Sequence, residues 1–552
     1  MGALFYGLIA VSKEWRGPMR PTVNIDLSPL VLPKYVFFSL TRGFAAYGLS
    51  LLFTLIYGYI AAYNKKAEKV LVPLLDILQS IPVLGFLPGL ILALVAFFPA
   101  SNIGLELAAV VMIFTGQVWN MTFSFYNSLK SIPTDLLEAS RVYKFNWWQR
   151  FIKVQLAYST MGLVWNSMMS MAGGWFFLTI TEAFVLGNKD FRLPGIGSYM
   201  SVAIAQGNFP AMIYAIIAMV LMIALVDQLF WKPIVAWAQK YKFEETEAAE
   251  VSQSFVLDIL RRSQLVKFIR TRIFEPATSK FSVQLLSGSV ALEAAESSPI
   301  GKPLFTFFRW ILIGIFVLFL LWGLEKTLIL FSTINLLEWL SILYNLLLTF
   351  IRVLVAVGIG TILMVPLGVA IGMNPKLSRI LQPIVQIVAS FPAPMLFPIV
   401  IAVLAKLGVG IGIGAIALMM LGTQWYILFN IIAGAMGIPH DLLEAAYVAR
   451  LSRVQRWKKL ILPAIFPSLI TGWVTASGGA WNASIVAEYV HYGDKFLIAT
   501  GLGSTITQAT DAGNYGILTA SVFAMATTVV LINRTFWKRM YHIATNRYSL
   551  NK

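Results

Sequence analysis

The sequence predicts an all-α, polytopic membrane protein built from two homologous helical bundles. Its composition is 58% hydrophobic and only 12% charged, with a mean hydropathy of +0.76, whereas soluble domains carry about 25% charged residues. Long apolar runs recur without the alternation that is typical of strands. Much of the first half of the chain also returns in the second half at a nearly fixed shift, which indicates an internal duplication.

The duplication is clearest in a polar segment. Residues 132–139 read IPTDLLEA and residues 438–445 read IPHDLLEA, a shift of 306 positions. The same shift relates Trp175 to Trp481 and Glu182 to Glu488. Upstream the shift is 310, and it relates Arg42 to Arg352, Ser80 to Ser390 and Pro82 to Pro392. Because polar residues recur as faithfully as apolar ones, we expect the repeated segment to contact a partner.

Each apolar run of about 20 residues is a candidate spanning helix. We place such helices at 36–63, 70–98, 103–125, 158–187, 209–236, 304–324, 342–372, 381–407, 409–432, 463–490 and 514–536. This gives about 11–12 spanning helices, in a first bundle at 1–237 and a second at 303–552. The helix at 304–324 has no full counterpart, since the apolar stub Met1–Ala10 is too short to span. We expect a truncated first helix, and favour a start codon set too late over loss of the helix.

The distribution of basic residues predicts the orientation. The segment 129–155 and its repeat are rich in Lys and Arg, which places both on the cytoplasmic side of the membrane. Counting helices outward places the connection 238–302 and the C-terminal tail on the same side. The net charge of +17 is then explained by topology and by contact with anionic membrane lipid. Nucleic acid is not an expected partner.

The connection 238–302 runs from an acidic stretch through an amphipathic segment, Val256–Ile273, to a Ser- and Ala-rich end. We interpret it as a cytoplasmic linker without its own activity. The amphipathic segment could lie on the membrane surface or contact a partner, and the sequence does not choose between these.

The repeated segment has the features of a short, well-capped helix. Pro133 and Pro439 suit its first position, and carboxylates follow near the positive end of the helix dipole. These are Asp135 and Glu138 in the first copy, and Asp441 and Glu444 in the second. Small residues follow, Ala139-Ser140 and Ala445-Ala446, and basic residues come next, beginning with Arg141 in the first copy. We expect a stiff helix that fits a groove on a soluble protein.

Enzyme activity is not expected of this chain. It has no cysteine, and its three histidines (His440, His491 and His542) lie in separate segments, so the sequence offers no catalytic or metal-binding cluster. It also contains no Gly-x-x-x-x-Gly-Lys-Ser/Thr phosphate-binding loop. We therefore expect no cofactor bound by this chain.

The repeated segment resembles the EAA loop of the membrane subunits of type I ATP-binding-cassette importers. The resemblance rests on Glu-Ala-Ser/Ala, followed 19 residues after the Glu by Ala157 or Pro463. The flanking Ser-x-Pro segments at 80–82 and 390–392, with the Trp and Glu pairs named above, are similar to the nitrate/sulfonate/taurine branch. Where the family usually has Gly six residues after the Glu, this chain has Lys144 and Arg450.

The resemblance implies two permease domains fused in one chain, in a bacterial-type plasma (inner) membrane. Each EAA-type loop would dock into one subunit of a cytosolic ATPase dimer, which uses ATP and Mg. An extracytoplasmic solute-binding protein would deliver a small anion such as nitrate, a sulfonate or bicarbonate.

Polar and aromatic residues near the outer helix ends are candidates for the path or gate. Trp175 and Trp481 each follow two small residues. We interpret them either as a gate or as part of an aromatic belt at the membrane interface. For Glu182 and Glu488 we favour packing against a neighbouring helix over a place in the path. For the matched pair Arg42 and Arg352 we favour snorkelling toward the interface over attraction of an anion.

An ion-coupled secondary transporter is the alternative function. Such carriers usually place coupling groups near the middle of the membrane at the repeat interface. The carboxylates of this chain lie nearer the helix ends, and the best-preserved repeat faces solvent, so we favour an external motor.

Overall fold

The computed structural model describes residues 11–17, 23–186, 189–241, 301–492 and 495–547. The stub Met1–Ala10 lies outside the described residues. So does the linker, apart from 238–241 and 301–302. Over the described ranges the chain is almost entirely helical, which confirms the all-α membrane class.

Ten α-helices of the first half lie wholly within the described ranges. They are α1 (Leu32–Tyr63), α2 (Lys65–Ser80), α3 (Leu87–Phe97), α4 (Ile103–Lys130), α5 (Thr134–Val142), α6 (Trp147–Arg150), α7 (Ala157–Thr181), α8 (Ile196–Ala205), α9 (Phe209–Val226) and α10 (Lys232–Ala238). A hairpin of β1 (Ala183–Leu186) and β2 (Lys189–Arg192) separates α7 from α8.

The second half repeats this order after one additional long helix. Its helices are α11 (Gly301–Ser332), α12 (Leu336–Gly372), α13 (Pro375–Ser390), α14 (Phe397–Lys406), α15 (Ile411–Met436), α16 (His440–Val448), α17 (Arg453–Arg456), α18 (Leu462–Ala487), α19 (Leu502–Asp511), α20 (Tyr515–Ile532) and α21 (Lys538–Arg547). A hairpin of β3 (Tyr489–Tyr492) and β4 (Lys495–Ile498) separates α18 from α19.

Four π-helical turns join consecutive helices at matched places in the two halves. They are Phe151–Leu156, Asp227–Trp231, Trp457–Ile461 and Asn533–Trp537. Such turns insert an extra residue into the helical ladder and often lie at functional sites.

The helices predicted at 70–98 and 381–407 are each broken in two. Lys65–Gln79 and Val83–Phe97 meet at 86°, and Pro375–Ser390 and Ala393–Lys406 meet at 84°. Pro82 and Pro392 explain both breaks, because a proline disfavours the helical conformation of the residue before it. Ile81 and Phe391 are indeed extended, with ψ of 126° and 130°.

The two hairpins are the exception to the all-α prediction. The helices predicted at 158–187 and 463–490 end at Thr181 and Ala487, and the residues that follow pair as antiparallel strands. Gly187-Asn188 and Gly493-Asp494 separate the strands in the sequence. A Gly-Asn or Gly-Asp pair between two short apolar runs is a hairpin signal that the helix prediction overlooked.

Among the described residues, seven helical segments are long and apolar enough to cross a membrane, and the two bent pairs would raise the number to nine. Helices α7 and α11 have 25 and 32 residues. At 1.5 Å per residue either one exceeds a hydrocarbon thickness of about 30 Å. With these two helices the structure accounts for each of the eleven predicted helical segments.

The halves pack through their bent helices. The turn Val83–Phe86 contacts α18 and α20 of the second half, and α13 contacts α7 and α9 of the first half. One hydrophobic core runs through both halves. At its edge the backbone N–H of Val83 donates to Asn482 Oδ1 at 2.7 Å. Each bundle therefore completes its core with a segment of the other.

Candidate functional site

The repeated loops form two matched short helices, α5 and α16. Each follows a proline, Pro133 or Pro439, whose backbone is extended and directly precedes the first helical residue. The prolines therefore lie one residue before the position that we predicted for them. We call the end of the molecule that carries α5 and α16 the loop end.

The predicted contact residues divide into an outward and an inward set. The side chains of Asp135, Glu138, Ala139 and Arg141 are exposed, as are those of Asp441, Glu444 and Ala445. Ser140 and Ala446 face inward and retain only 2% and 5% exposure. Ser140 Oγ donates to the carbonyl oxygen of Leu137 at 2.6 Å. The exposed small residue on each helix is thus a single alanine, and its neighbour packs against the body of the protein.

Both short helices end in a left-handed residue that is not glycine. Lys144 has φ of 52° and Arg450 has φ of 50°. In the first copy the N–H of Phe145 donates to the carbonyl oxygen of Ser140 at 2.9 Å. In the second copy the N–H of Leu451 donates to the carbonyl oxygen of Ala446 at 3.1 Å. This is the Schellman arrangement that glycine usually completes. The turn after each short helix therefore forms even though Lys144 and Arg450 stand where the resembled family usually has glycine.

Exposed apolar side chains at the ends of these helices were missed by the sequence reasoning. Val142 and Tyr143 are 79% and 75% exposed, and Tyr447 and Val448 are 77% and 79% exposed. The sequence signal for these side chains is that apolar residues directly follow the charged and small residues of each repeated segment. Large apolar side chains presented this openly beside charged ones are typical of a surface that a partner covers.

The first turn of α2 lies beside the end of α4 at the loop end. Glu68 accepts hydrogen bonds from Tyr126 Oη at 2.6 Å and from Lys130 Nζ at 2.9 Å. Trp147 Nε1 also donates to Tyr59 Oη at the end of α1. These contacts fix the helices from which α5 projects.

At the opposite end, which we call the hairpin end, Glu182 lies in a fully buried polar cluster. Its Oε1 accepts from Arg42 Nη1 at 2.7 Å and from Ser39 Oγ at 2.6 Å, and its Oε2 accepts from the N–H of Gly197 at 2.7 Å. Arg42 also makes a two-point ion pair with Glu106. The cluster ties α1, α4 and the start of α8 to the residue that begins the hairpin.

The second half repeats this cluster with one carboxylate fewer. Glu488 accepts from Arg352 Nη1 at 2.8 Å, from Thr349 Oγ1 at 2.8 Å and from the N–H of Gly503 at 2.8 Å. In the first half Arg42 pairs with Glu106. In the second half Arg352 Nε instead donates to the carbonyl oxygen of Gly412. The Arg352 side chain is 13% exposed, whereas that of Arg42 is fully buried.

These contacts correct the expectation for the two arginines. Arg42 does not snorkel, because its guanidinium is enclosed by Glu106 and Glu182. Arg352 is likewise held by Glu488. A buried arginine remains charged only where carboxylates and carbonyl oxygens replace its water. The sequence lacked any signal for Glu106, since the pairing spans 64 positions along the chain.

Trp175 and Trp481 are packed in the core. Trp175 is 2% exposed and closely approaches Gly43 of α1, and Trp481 is 1% exposed and stacks on Phe350 at a centroid distance of 6.2 Å. Both lie beside the large cavity between the two halves, without lining it. A role for them as a gate stays a prediction.

A central cavity of about 900 Å³ lies between the two halves. Both bent helices, α4, α7 and their second-half counterparts contribute to its wall. Its lining includes many aromatic side chains, among them Trp119, Phe176, Trp425 and Tyr426, and several amides. Among the described residues, the charged side chains that line it are Asp76, Arg534 and Lys538. The arrangement provides a shared chamber with polar contacts, which a solute-binding site requires.

Curated relatives resemble about one third of the chain. The nitrate import permease protein NrtB of Leptolyngbya laminosa is 28% identical over 182 residues, which cover 33% of this chain and 62% of that protein. The bicarbonate transport system permease protein CmpB of Synechocystis sp. is 28% identical over 183 residues, with the same coverage. The taurine transport system permease protein TauC of Escherichia coli is 23% identical over 184 residues, 33% of this chain and 62% of TauC. The matches thus span less than two thirds of each relative.

A solved structure of the MetNI methionine ABC transporter, in an inward-facing conformation, is 19% identical. It covers 39% of this chain and 100% of its own, with a TM-score of 0.34. The model of the family described as binding-protein-dependent transport system inner membrane component matches twice, at residues 54–230 and 364–536. These two matches cover most of the chain and fall on the two helical halves. The chain belongs to the family of binding-protein-dependent transport system inner membrane components and carries two copies of its domain.

Proposed function

We propose that this protein is the membrane permease of an ATP-driven importer, with both permease domains on one chain. The observation that carries the proposal is the pairing of two projecting helices, α5 and α16, with one cavity between the halves that present them. Family membership supports the same function. The loop end would face the cytoplasm, as the basic residues of that end favour.

In this proposal α5 and α16 couple the chain to a cytosolic ATPase dimer. The exposed carboxylates Glu138 and Glu444 and the exposed apolar ends would enter grooves on the two ATPase subunits. Closure of the dimer would draw the loops together and move the halves about the cavity. ATP and Mg would be used by the ATPase, and no nucleotide chemistry is assigned to this chain.

The substrate that we propose is a small anion. The relatives are named for nitrate, bicarbonate and taurine, and each of these carries an oxyanion group. An extracytoplasmic solute-binding protein would deliver the anion at the hairpin end. The hairpins and the clusters of Glu182 and Glu488 would hold the two halves rigid at that surface.

The coupling proposal is tested by reversing charge on the two projecting helices. We expect Glu138→Lys with Glu444→Lys to abolish ATP-dependent uptake in liposomes that contain the purified permease and ATPase, while the chain still inserts and remains monodisperse. Both side chains are exposed, so the substitutions should leave the fold intact. Lys66→Glu, an exposed charge reversal in the first turn of α2 at the same end, is the control and should preserve most of the uptake.

Normal uptake in the double variant would contradict the coupling role. The secondary-transporter alternative makes the opposite prediction for the motor: uptake would continue without the ATPase and would follow an ion gradient.

A further inference from the structure

The last spanning helix of each half carries a polar group at its π-helical turn, and the two groups differ in charge. In the first half the residues are Asp227, Gln228 and Lys232, and 306 positions later they are Asn533, Arg534 and Lys538. The tryptophans of the two turns, Trp231 and Trp537, match. The first set has one acid and one base, and the second has two bases.

The first-half group is internally neutralised. Lys232 Nζ donates to Gln228 Oε1 at 2.7 Å, and Gln228 Nε2 donates to Asp227 Oδ2 at 3.0 Å. This chain of contacts connects the cation to the carboxylate through one amide. Neither Gln228 nor Lys232 lines the central cavity.

The second-half group faces the cavity. Asn533, Arg534, Trp537 and Lys538 all line it, and both cations are exposed. The acid of the first half has become an amide, and the central glutamine has become an arginine. The formal charge of the second-half group is therefore two units more positive than that of the first-half group. Asp76 supplies the opposing charge among the described lining residues, which leaves an excess of one positive charge.

Cations that line a cleft within a spanning segment attract anions more strongly than cations on an open surface, because the low-dielectric walls focus their field. Rings of Arg and Lys serve this purpose in anion pores. Arg534 also offers a planar set of donors suited to an oxyanion, and Lys538 lies one helical turn away on the same face.

We propose that Arg534 and Lys538 form an anion-binding site on one wall of the cavity, contributed by the second half alone. Its ligand is a small oxyanion, held by Arg534 and attracted by Lys538. The proposal rests on the proposed function in one respect, that the cavity is taken as the translocation path. The fused chain thus has a single site off its twofold axis, where a symmetric pair of identical permeases would have two.

The test measures anion binding by the full-length chain without its ATPase. The protein is placed in phosphatidylcholine nanodiscs, and equilibrium dialysis is carried out with labelled nitrate, bicarbonate and taurine. We expect at least one of these probes to bind, and Arg534→Gln with Lys538→Gln to weaken it by roughly 10–100-fold, the usual effect of losing hydrogen bonds to a charged group.

Three further variants separate charge from folding. Arg534→Lys retains the charge and should lose less affinity than Arg534→Gln. Asn533→Asp restores the carboxylate of the first half and should weaken binding without removing either cation. Lys232→Gln removes the matched cation outside the cavity and should leave the affinity unchanged.

A lipid headgroup is the other source of the same anion chemistry. Nanodiscs containing phosphatidylglycerol distinguish it: if the double Gln variant loses bound phosphatidylglycerol but binds the three probes normally, the proposal is wrong. It is also wrong if the wild-type chain binds none of the probes, or if Lys232→Gln weakens binding as much as the double variant.

These outcomes are independent of the importer proposal. ATP-driven uptake without anion binding at Arg534 would remove this site and preserve the permease function. Anion binding by a chain that transports without an ATPase would preserve the site and remove the importer.

Discussion

Arg42 and Arg352 illustrate how one residue type acquires two environments in a duplicated chain. Arg42 is enclosed by Glu106, Glu182 and the carbonyl oxygen of Pro194. Arg352 has one carboxylate and two carbonyl oxygens, those of Gly412 and Thr500. Removing a charge from a closed network leaves its partners buried and unpaired, and the cost grows with the number of partners left.

We therefore expect Arg42→Gln to destabilise the protein more than Arg352→Gln. Arg42→Gln exposes two buried carboxylates to each other, and we expect a loss of about 3–5 kcal/mol. Arg352→Gln leaves only Glu488, which still accepts from Thr349 and Gly503, so the loss should be smaller. Thermal unfolding of the two variants in the same detergent measures the difference. Equal losses would show that the second carboxylate of the first cluster contributes nothing.

At the hairpin end, the backbone that follows each hairpin closely approaches a buried carboxylate. A Cβ at Gly195 would lie 2.3 Å from the Glu182 carboxylate, and one at Gly501 would lie 2.3 Å from that of Glu488. Both glycines directly precede a helix whose N–H groups donate to the carboxylate. Glycine is needed at these two places because of the short approach, since their φ of 178° is accessible to any residue.

We expect Gly195→Ala and Gly501→Ala each to destabilise the chain by about 1–3 kcal/mol, the usual cost of forcing a methyl group into a filled site. Gly48→Ala is the matched control, because a Cβ there has no neighbour within 4 Å in the middle of α1. That substitution should be neutral or stabilise by up to about 1 kcal/mol. Thermal unfolding in detergent tests all three variants, and a stable Gly195→Ala protein would argue against the close approach.

At the scale of the whole molecule, the two halves share a core while differing in charge. Each bent helix packs against the opposite half, so neither bundle is complete alone. Among the described residues, the second half presents Arg534 and Lys538 to the cavity, whereas the charged first-half residue that lines it is Asp76. The buried arginine pairs with two carboxylates in the first half and with one in the second. Fusion of the halves permits this division, because two copies on one chain can diverge separately.

The arrangement of the halves is tested by a disulfide between Gly85→Cys and Val522→Cys. A Cβ at Gly85 would lie 3.6 Å from Val522 Cβ in the other half, within the range for a disulfide. The chain has no other cysteine, so a cross-link can join only this pair. A protease site inserted into the 238–302 connection then separates the halves on a reducing gel, and we expect them to migrate together without reductant.

The single-cysteine variants are the controls and should separate under both conditions. Separation of the oxidised double variant would contradict the observed packing of the Val83–Phe86 turn on α20. We also expect the cross-link to stop ATP-driven uptake, because it holds the halves in one arrangement, and reductant should restore it.

The sequence by itself determined the class, the duplication and the position of the projecting helices. These features are local: an apolar run of about 20 residues, a repeated octapeptide and a proline before a polar helix are each visible within a short window. The signals for the breaks at Pro82 and Pro392 and for the Gly-Asn and Gly-Asp hairpins are equally local, although the predicted helices run through them.

The tertiary structure alone decided which charges meet. Arg42 and Glu106 are 64 positions apart, and Arg42 and Glu182 are 140 apart, so periodicity along the chain carries no information about their contact. The same holds for the central cavity, whose wall combines residues from both ends of the sequence. Repetition predicts that two halves are alike, and only their packing shows that Arg534 faces the shared chamber while its counterpart Gln228 lies off it.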